Sequence, residues 1–217
     1  KESGIYRSIN DGLTWTKISN SLVNDKLFGQ SANSANGSTL TNRVLLSLHQ
    51  SNFDGTPQNI LYAGIVNNKV LAGVFRLNIT TNNWTPVPVP AVHQGAHGDL
   101  HFSLVAHPTL PHVIYVGGDI DTQTNTANIV RIVIGSVFGG SDLIQPLASA
   151  TNAPHPDSRG LAFDASGRLI EVDDGGIFFN DKPSFPIVTE TNWFSLNRNI
   201  ANFETTAVAF DPLRNGL

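Results

Sequence analysis

Cysteine is absent from the 217 residues, which excludes disulfides, thiolate zinc sites and a cysteine nucleophile. The compartment stays open, because bacterial secreted proteins often do without cysteine. Charge is scarce too: Asp, Glu, Lys and Arg make up 14% of the chain and the net charge is −4. A nucleic-acid partner is therefore not expected, since a phosphate backbone calls for a basic patch. No apolar run approaches the roughly 18–20 residues that cross a bilayer, so no membrane span is expected. The opening Lys1-Glu2-Ser3-Gly4 has the form of neither a signal peptide nor a targeting arm. Long helical periodicity with caps is missing. Gly139-Gly140 lacks the Lys-Ser/Thr pair of a phosphate-cradling loop, and no cofactor is expected.

What is present is a chain able to build a core: 40% of its residues are hydrophobic, with a mean hydropathy of −0.06. Short runs rich in β-branched and aromatic residues alternate with Gly, Asn, Asp and Pro clusters, which points to an all-β protein. Residues 4–15, Gly-Ile-Tyr-Arg-Ser-Ile-Asn-Asp-Gly-Leu-Thr-Trp, return at 73–84 as Gly-Val-Phe-Arg-Leu-Asn-Ile-Thr-Thr-Asn-Asn-Trp. A third copy runs from Gly176-Ile177-Phe178-Phe179 to Trp193 with a Pro-containing insertion. A frame that recurs with a length-tolerant loop is the signature of stacked repeats.

Each repeat resolves into four strands. First strands are expected at Val44–His49, Phe102–His107, Gly160–Phe163 and Thr206–Phe210. Second strands follow at Asn59–Val66, Val113–Gly118 and Arg168–Val172, and third strands at Val70–Leu77, Asn128–Ile134 and Gly176–Phe179. Fourth strands fall near Trp84, Leu143 and Trp193. Units of about 45 to 60 residues with four antiparallel strands predict β-propeller blades, with a β-sandwich as the competing architecture. The blades are placed at 43–90, 100–150 and 158–199, preceded by a blade end at 4–19 and followed by a first strand at 204–211. Those pieces do not close a ring, so the chain is expected to be a segment of a larger propeller. Asn20–Thr41, rich in Ser, Asn and Gly, is expected to be a long surface loop. Trp15, Trp84 and Trp193 are assigned to packing.

Ser8-Ile9-Asn10-Asp11-Gly12-Leu13-Thr14-Trp15 resembles the Asp-box, or bacterial neuraminidase repeat, with Asn10 standing where an Asp is usual. Physically the box is a turn: Ser, Asn and Asp bond nearby backbone, Gly12 allows positive φ, and Trp15 covers it. Families that carry such boxes include sialidases, xyloglucan-degrading glycosidases and sortilin-type receptors. The resemblance thus implies a propeller and leaves function divided. The stretches 98–103 and 169–177 also look like segments of large bacterial extracellular repeat proteins, which implies a secreted or cell-surface location.

In a propeller the leading ends of first strands share a rim with the turns between second and third strands, so polar residues distant in sequence converge there. Those positions hold Arg43, Asp99, His101, Asp157, Arg159 and Glu204, with Asp119, Asp121, Asp173 and Asp174 from the turns. Glycoside hydrolysis uses paired carboxylates, for which Asp99, Asp157 and Glu204 are the candidates. Arg43, His101, Arg159, Asp173 and Asp174 are candidates for binding a carbohydrate or protein ligand. Asp-Gly and Asp-Asp-Gly are also ordinary turn formers, and both readings stay open. The arginine set and tyrosine of a sialidase are not in place. His93, His97 and His101 are spaced by four, but Gly95 and Gly98 argue against a metal-binding helix face. A solvated loop with His101 turned inward is expected instead, and no metal. Ser103 and Ser158 lack a nucleophile-elbow context.

Overall fold

The computed structural model describes residues 4–27, 41–135, 139–149, 151–183 and 192–199. Among them fourteen strands and one short helix form three four-stranded antiparallel sheets and a two-stranded ribbon. The ribbon is β1 (Tyr6–Arg7) with β2 (Thr16–Lys17), followed by helix α1 (Ser21–Leu27). Sheet one runs β3 (Thr41–Phe53), β4 (Thr56–Asn67), β5 (Val70–Asn78) and β6 (Asn83–Val87). Sheet two runs β7 (Ser103–Ala106), β8 (Val113–Asp121), β9 (Thr126–Val133) and β10 (Leu143–Pro146). Sheet three runs β11 (Gly160–Phe163), β12 (Leu169–Asp173), β13 (Gly176–Asn180) and β14 (Trp193–Ser195). Each strand pairs with its sequence neighbour, so every sheet is an up-and-down meander. This is an all-β, propeller-like fold, with no ring closure among the described residues.

The sheets stack in chain order because sheets one and two bury apolar side chains on both faces and sheet three meets sheet two through its own apolar residues. Ile60, Tyr62, Val66 and Val74 of sheet one interlock with Phe102, Leu104, Ile114 and Val116 of the sheet two segment. Val113, Tyr115 and Ile129 of sheet two meet Leu169 and Trp193 of sheet three. On its other face sheet one packs Ala63, Ile65, Phe75, Leu77 and Trp84 against Ile5 and Val23. Burying one such side chain stabilises by about 1.5–3 kcal/mol, so the seams, rather than any single sheet, hold the fold. The first seam is tight enough to require glycine at position 64, where a Cβ would lie 2.4 Å from the Phe102 ring tip.

The indoles stitch consecutive sheets. Trp84 Nε1 donates to Ile18 O at 2.7 Å, just past β2, and Trp193 Nε1 donates to Leu147 O at 2.7 Å, just past β10. Both are 4% exposed. Trp15 occupies the same register position but donates to Gly12 O in its own turn at 3.0 Å and is 62% exposed, so the expected packing role holds for two of the three indoles. Its turn is closed by Gly12 N to Ser8 Oγ at 2.8 Å and Thr14 N to Asn10 Oδ1 at 2.9 Å, with Asp11 and Gly12 at φ 55 and 85. Short polar side chains there replace missing backbone partners.

The expected loop over Asn20–Thr41 needs correction, because it contains α1. Asn20 Oδ1 caps the helix through Val23 N at 3.4 Å, and Val23 is fully buried against sheet one. At seven residues the helix is too short to display a period. Residues 28–40 and the first strand expected at 204–211 lie outside the described residues. No described helix is long and apolar enough to cross a membrane.

Candidate functional site

Sheets two and three bring the leading ends of their first strands together. His101 sits two residues before β7, and Asp157, Ser158 and Arg159 run into β11, beside the β12–β13 turn that carries Asp174. Backbone bonds fix this approach: Ser158 N donates to Gly118 O and Arg159 N to Val172 O, both at 2.9 Å. The hydroxyls of Ser103 and Ser158 meet at 2.7 Å beneath it. Glycine is required at position 118, since a Cβ there would lie 1.9 Å from Val92 O. That close crossing lets the 90–101 segment lie over sheet two.

Asp119 holds the same segment in place. Its Oδ2 accepts Gly95 N and His97 N at 3.1 Å each, and the residue is fully buried. An aspartate that could have been a ligand group is a staple for backbone amides. His93 departs from the expected solvated loop: it is 5% exposed, its Nε2 donates to His101 O at 2.8 Å, and its ring meets Phe102 edge-on. Burial lowers its pKa. His101 does turn inward, as expected, at 7% exposure.

At the rim, His101 Nδ1 approaches Asp157 Oδ1 to 2.9 Å, ion-pair distance but off the line of a hydrogen bond. Arg159 Nε donates to Asp174 Oδ1, which holds the Asp174 carboxyl below its ordinary range. Donor atoms of His101, Asp157 and Asp174 lie within 4.8 Å of one another. Asp157 adopts φ 77, a backbone region that non-glycine residues seldom occupy. Just below, Glu171 and Asp173 share one face of β12. Glu171 is fully buried, and burial together with the Asp173 carboxyl raises its pKa far above the carboxylate range. Burial raises Asp173 as well, although Gly175 N bonds its Oδ1 at 2.7 Å. Like charges in a dry site cannot both ionise, so this pair retains a proton at neutral pH.

The structure thus unites His101, Asp157, Arg159 and Asp174, with Asp173 behind them. Two other expected residues stand apart on the same rim. Asp99 faces Lys69 Nζ at 3.8 Å, and Arg43 Nη1 donates to Leu100 O at 2.7 Å, tying β3 to the loop. Asp121 caps its own turn through Gln123 N at 2.8 Å. Glu204 lies outside the described residues. Sequence reasoning missed Glu171, whose signal was an acid inside the apolar strand Leu169-Ile170-Glu171-Val172, two positions from Asp173. A second concavity of about 290 Å³ lies between Pro90, Gln94 and the outer strands β9 and β10. Its lining mixes apolar Ile129, Val130 and Ile144 with polar Gln94, Asp121 and Asn128.

No known protein family, curated protein or solved structure matches the chain.

Proposed function

We propose that the chain is an Asp-box propeller segment, secreted or borne on a bacterial surface, that binds a carbohydrate or protein ligand on the rim of His101, Asp157, Arg159 and Asp174. The observation that carries this reading is the convergence of those four polar side chains from three loop segments onto one solvent-facing point. Core-building residues do not need such an arrangement, and loops on a rigid scaffold are where binding groups collect. Exposed Leu100, Val172 and Ile177 offer apolar contact beside it. The rest of a larger propeller is the proposed neighbour of sheet one, whose β3 side chains Val44, Leu46 and Leu48 stay exposed on one face.

A glycoside hydrolase of the same superfamily is the alternative, favoured by the carboxylates of Asp157 and Asp174 lying within 4.8 Å. Retaining enzymes space theirs at about 5–5.5 Å. Against it, Arg159 keeps Asp174 ionised, and the carboxyl that retains a proton, Glu171, has no surface to offer a sugar. A glycan array on the intact protein, followed by hydrolysis assays, separates the readings. Binding without turnover, lost in Asp157→Asn and Arg159→Ala, is the expected outcome. Turnover would move the assignment to the hydrolase, and neither binding nor turnover would leave a structural repeat.

A further inference from the structure

The rim cluster has the composition of a metal site. His101 supplies an imidazole, and Asp157 and Asp174 supply carboxylates, from three segments that the fold alone brings within 4.8 Å. His101 is 7% exposed, and its Nδ1 points at the cluster, 2.9 Å from Asp157 Oδ1 but in no hydrogen bond. A buried ring nitrogen is costly to leave in that state, and a cation would satisfy it. Asp173, also buried, has an Oδ2 without a donor in the adjoining turn.

We propose that His101, Asp157 and Asp174 bind one first-row divalent cation, with zinc the best chemical fit. One nitrogen and two carboxylate oxygens form a borderline donor set, whereas calcium and magnesium take shells of oxygen. Zinc bonds of about 2.0–2.2 Å would draw the three donors into a tetrahedral arrangement by small side-chain movements. Three protein ligands leave a fourth position open, as in zinc sites that meet a ligand from solution. Arg159 serves as the orienting group: it engages Oδ1 of Asp174, and a carboxylate has a second oxygen to give to the metal. The charge also favours a cation, since two carboxylates outweigh one guanidinium and leave the cluster net negative before a dication enters. His101 belongs to the loop leading into sheet two, while Asp157 and Asp174 belong to sheet three, so the cation would clamp the seam between them.

Calorimetric titration of the chelator-stripped intact protein with zinc chloride tests this directly. One equivalent per chain is expected, with a rise in melting temperature. Cobalt substitution should give the absorption of a tetrahedral centre. Asp157→Asn and Asp174→Asn should each weaken zinc by at least about tenfold, while His97→Ala and His155→Ala leave it unchanged. The absence of saturable one-equivalent binding in the unsubstituted protein would overturn the proposal. So would zinc binding that both aspartate variants retain while a histidine variant elsewhere abolishes it. Circular dichroism confirms that each variant is folded, and the unsubstituted titration stands if one is not. No glycan enters the measurement, so this outcome is independent of the ligand reading.

Discussion

Strand β7 has two ends with opposite characters. Its leading end opens on carboxylates, with His101, Asp157 and Asp174 crowded at the rim. Its trailing end runs into His107, which gathers His49 and His112 with Arg76 and Arg131 close enough to influence them. At the trailing end the two histidines nearest the strand are matched, although Arg76 Nε is buried there without a hydrogen-bond partner. His49 Nδ1 donates to His107 O at 2.6 Å while its Nε2 faces Ser51 Oγ at 2.7 Å. His107 Nδ1 accepts Thr109 N and Leu110 N, each at 3.1 Å, and its ring packs on Tyr115 and Phe163. At the leading end His93 Nδ1 and Asp173 Oδ2 lack hydrogen-bond partners, and His101 Nδ1 has only the ion-pair contact with Asp157. The matched histidines at one end serve the fold, whereas the partly exposed carboxylates at the other are the groups on which the proposed binding rests.

The sharpest way to break the contrast is to strike the seam that joins both ends. Gly64→Ala would drive a methyl into Phe102, the fully buried residue between His101 and Ser103. A loss of about 3 kcal/mol is expected in urea unfolding. Next comes acid. Burial, reinforced by His49, Arg131 and His112, depresses His107 to about 4, and burial lowers His49 and His112 too. The folded state therefore binds fewer protons than the unfolded chain below pH 6.5. Stability present above that value should fall, by on the order of 2 kcal/mol, as pH drops from 6.5 towards 4. His107→Asn keeps an acceptor for Thr109 N and Leu110 N without titrating, and should flatten that fall in a series of melting curves.

The smallest effect expected sits at the leading end and has the reverse slope. Glu171 keeps its proton when folded, so its contribution is complete below its ordinary value of 4.5 and is lost progressively as pH rises from there through neutrality. Glu171→Gln should raise stability at pH 7.5 by about 1 kcal/mol and leave stability near pH 4 almost unchanged. A loss at neutral pH would show that the carboxyl stabilises the seam in a way that outweighs the cost of keeping it protonated.

Much of this architecture can be read from the chain because its punctuation is regular. Gly-to-Trp spacing places the third and fourth strands, and apolar runs place the first two, with boundaries moving by a few residues. β3 is longer than Val44–His49, since the polar Gln50, Ser51 and Asn52 continue its ladder against β4. Helix α1 escapes because about two turns of sequence carry no legible period. At the rim, strand topology alone suffices to gather His101, Asp157, Arg159 and Asp174. What escapes is side-chain direction: Asp119 folds under its loop, Asp99 turns to Lys69, and Glu171 disappears into the seam. Those outcomes depend on which face of a twisted strand is covered, and a single residue's identity does not encode that.

The two buried indoles reach backwards along the chain, each to a carbonyl just beyond the sheet made before its own. Synthesis starts from the N-terminus, so each carbonyl is made before the indole that bonds it. A newly emerging sheet therefore finds its latch already built in the portion that preceded it, and assembly can advance one wedge at a time without waiting for the ring.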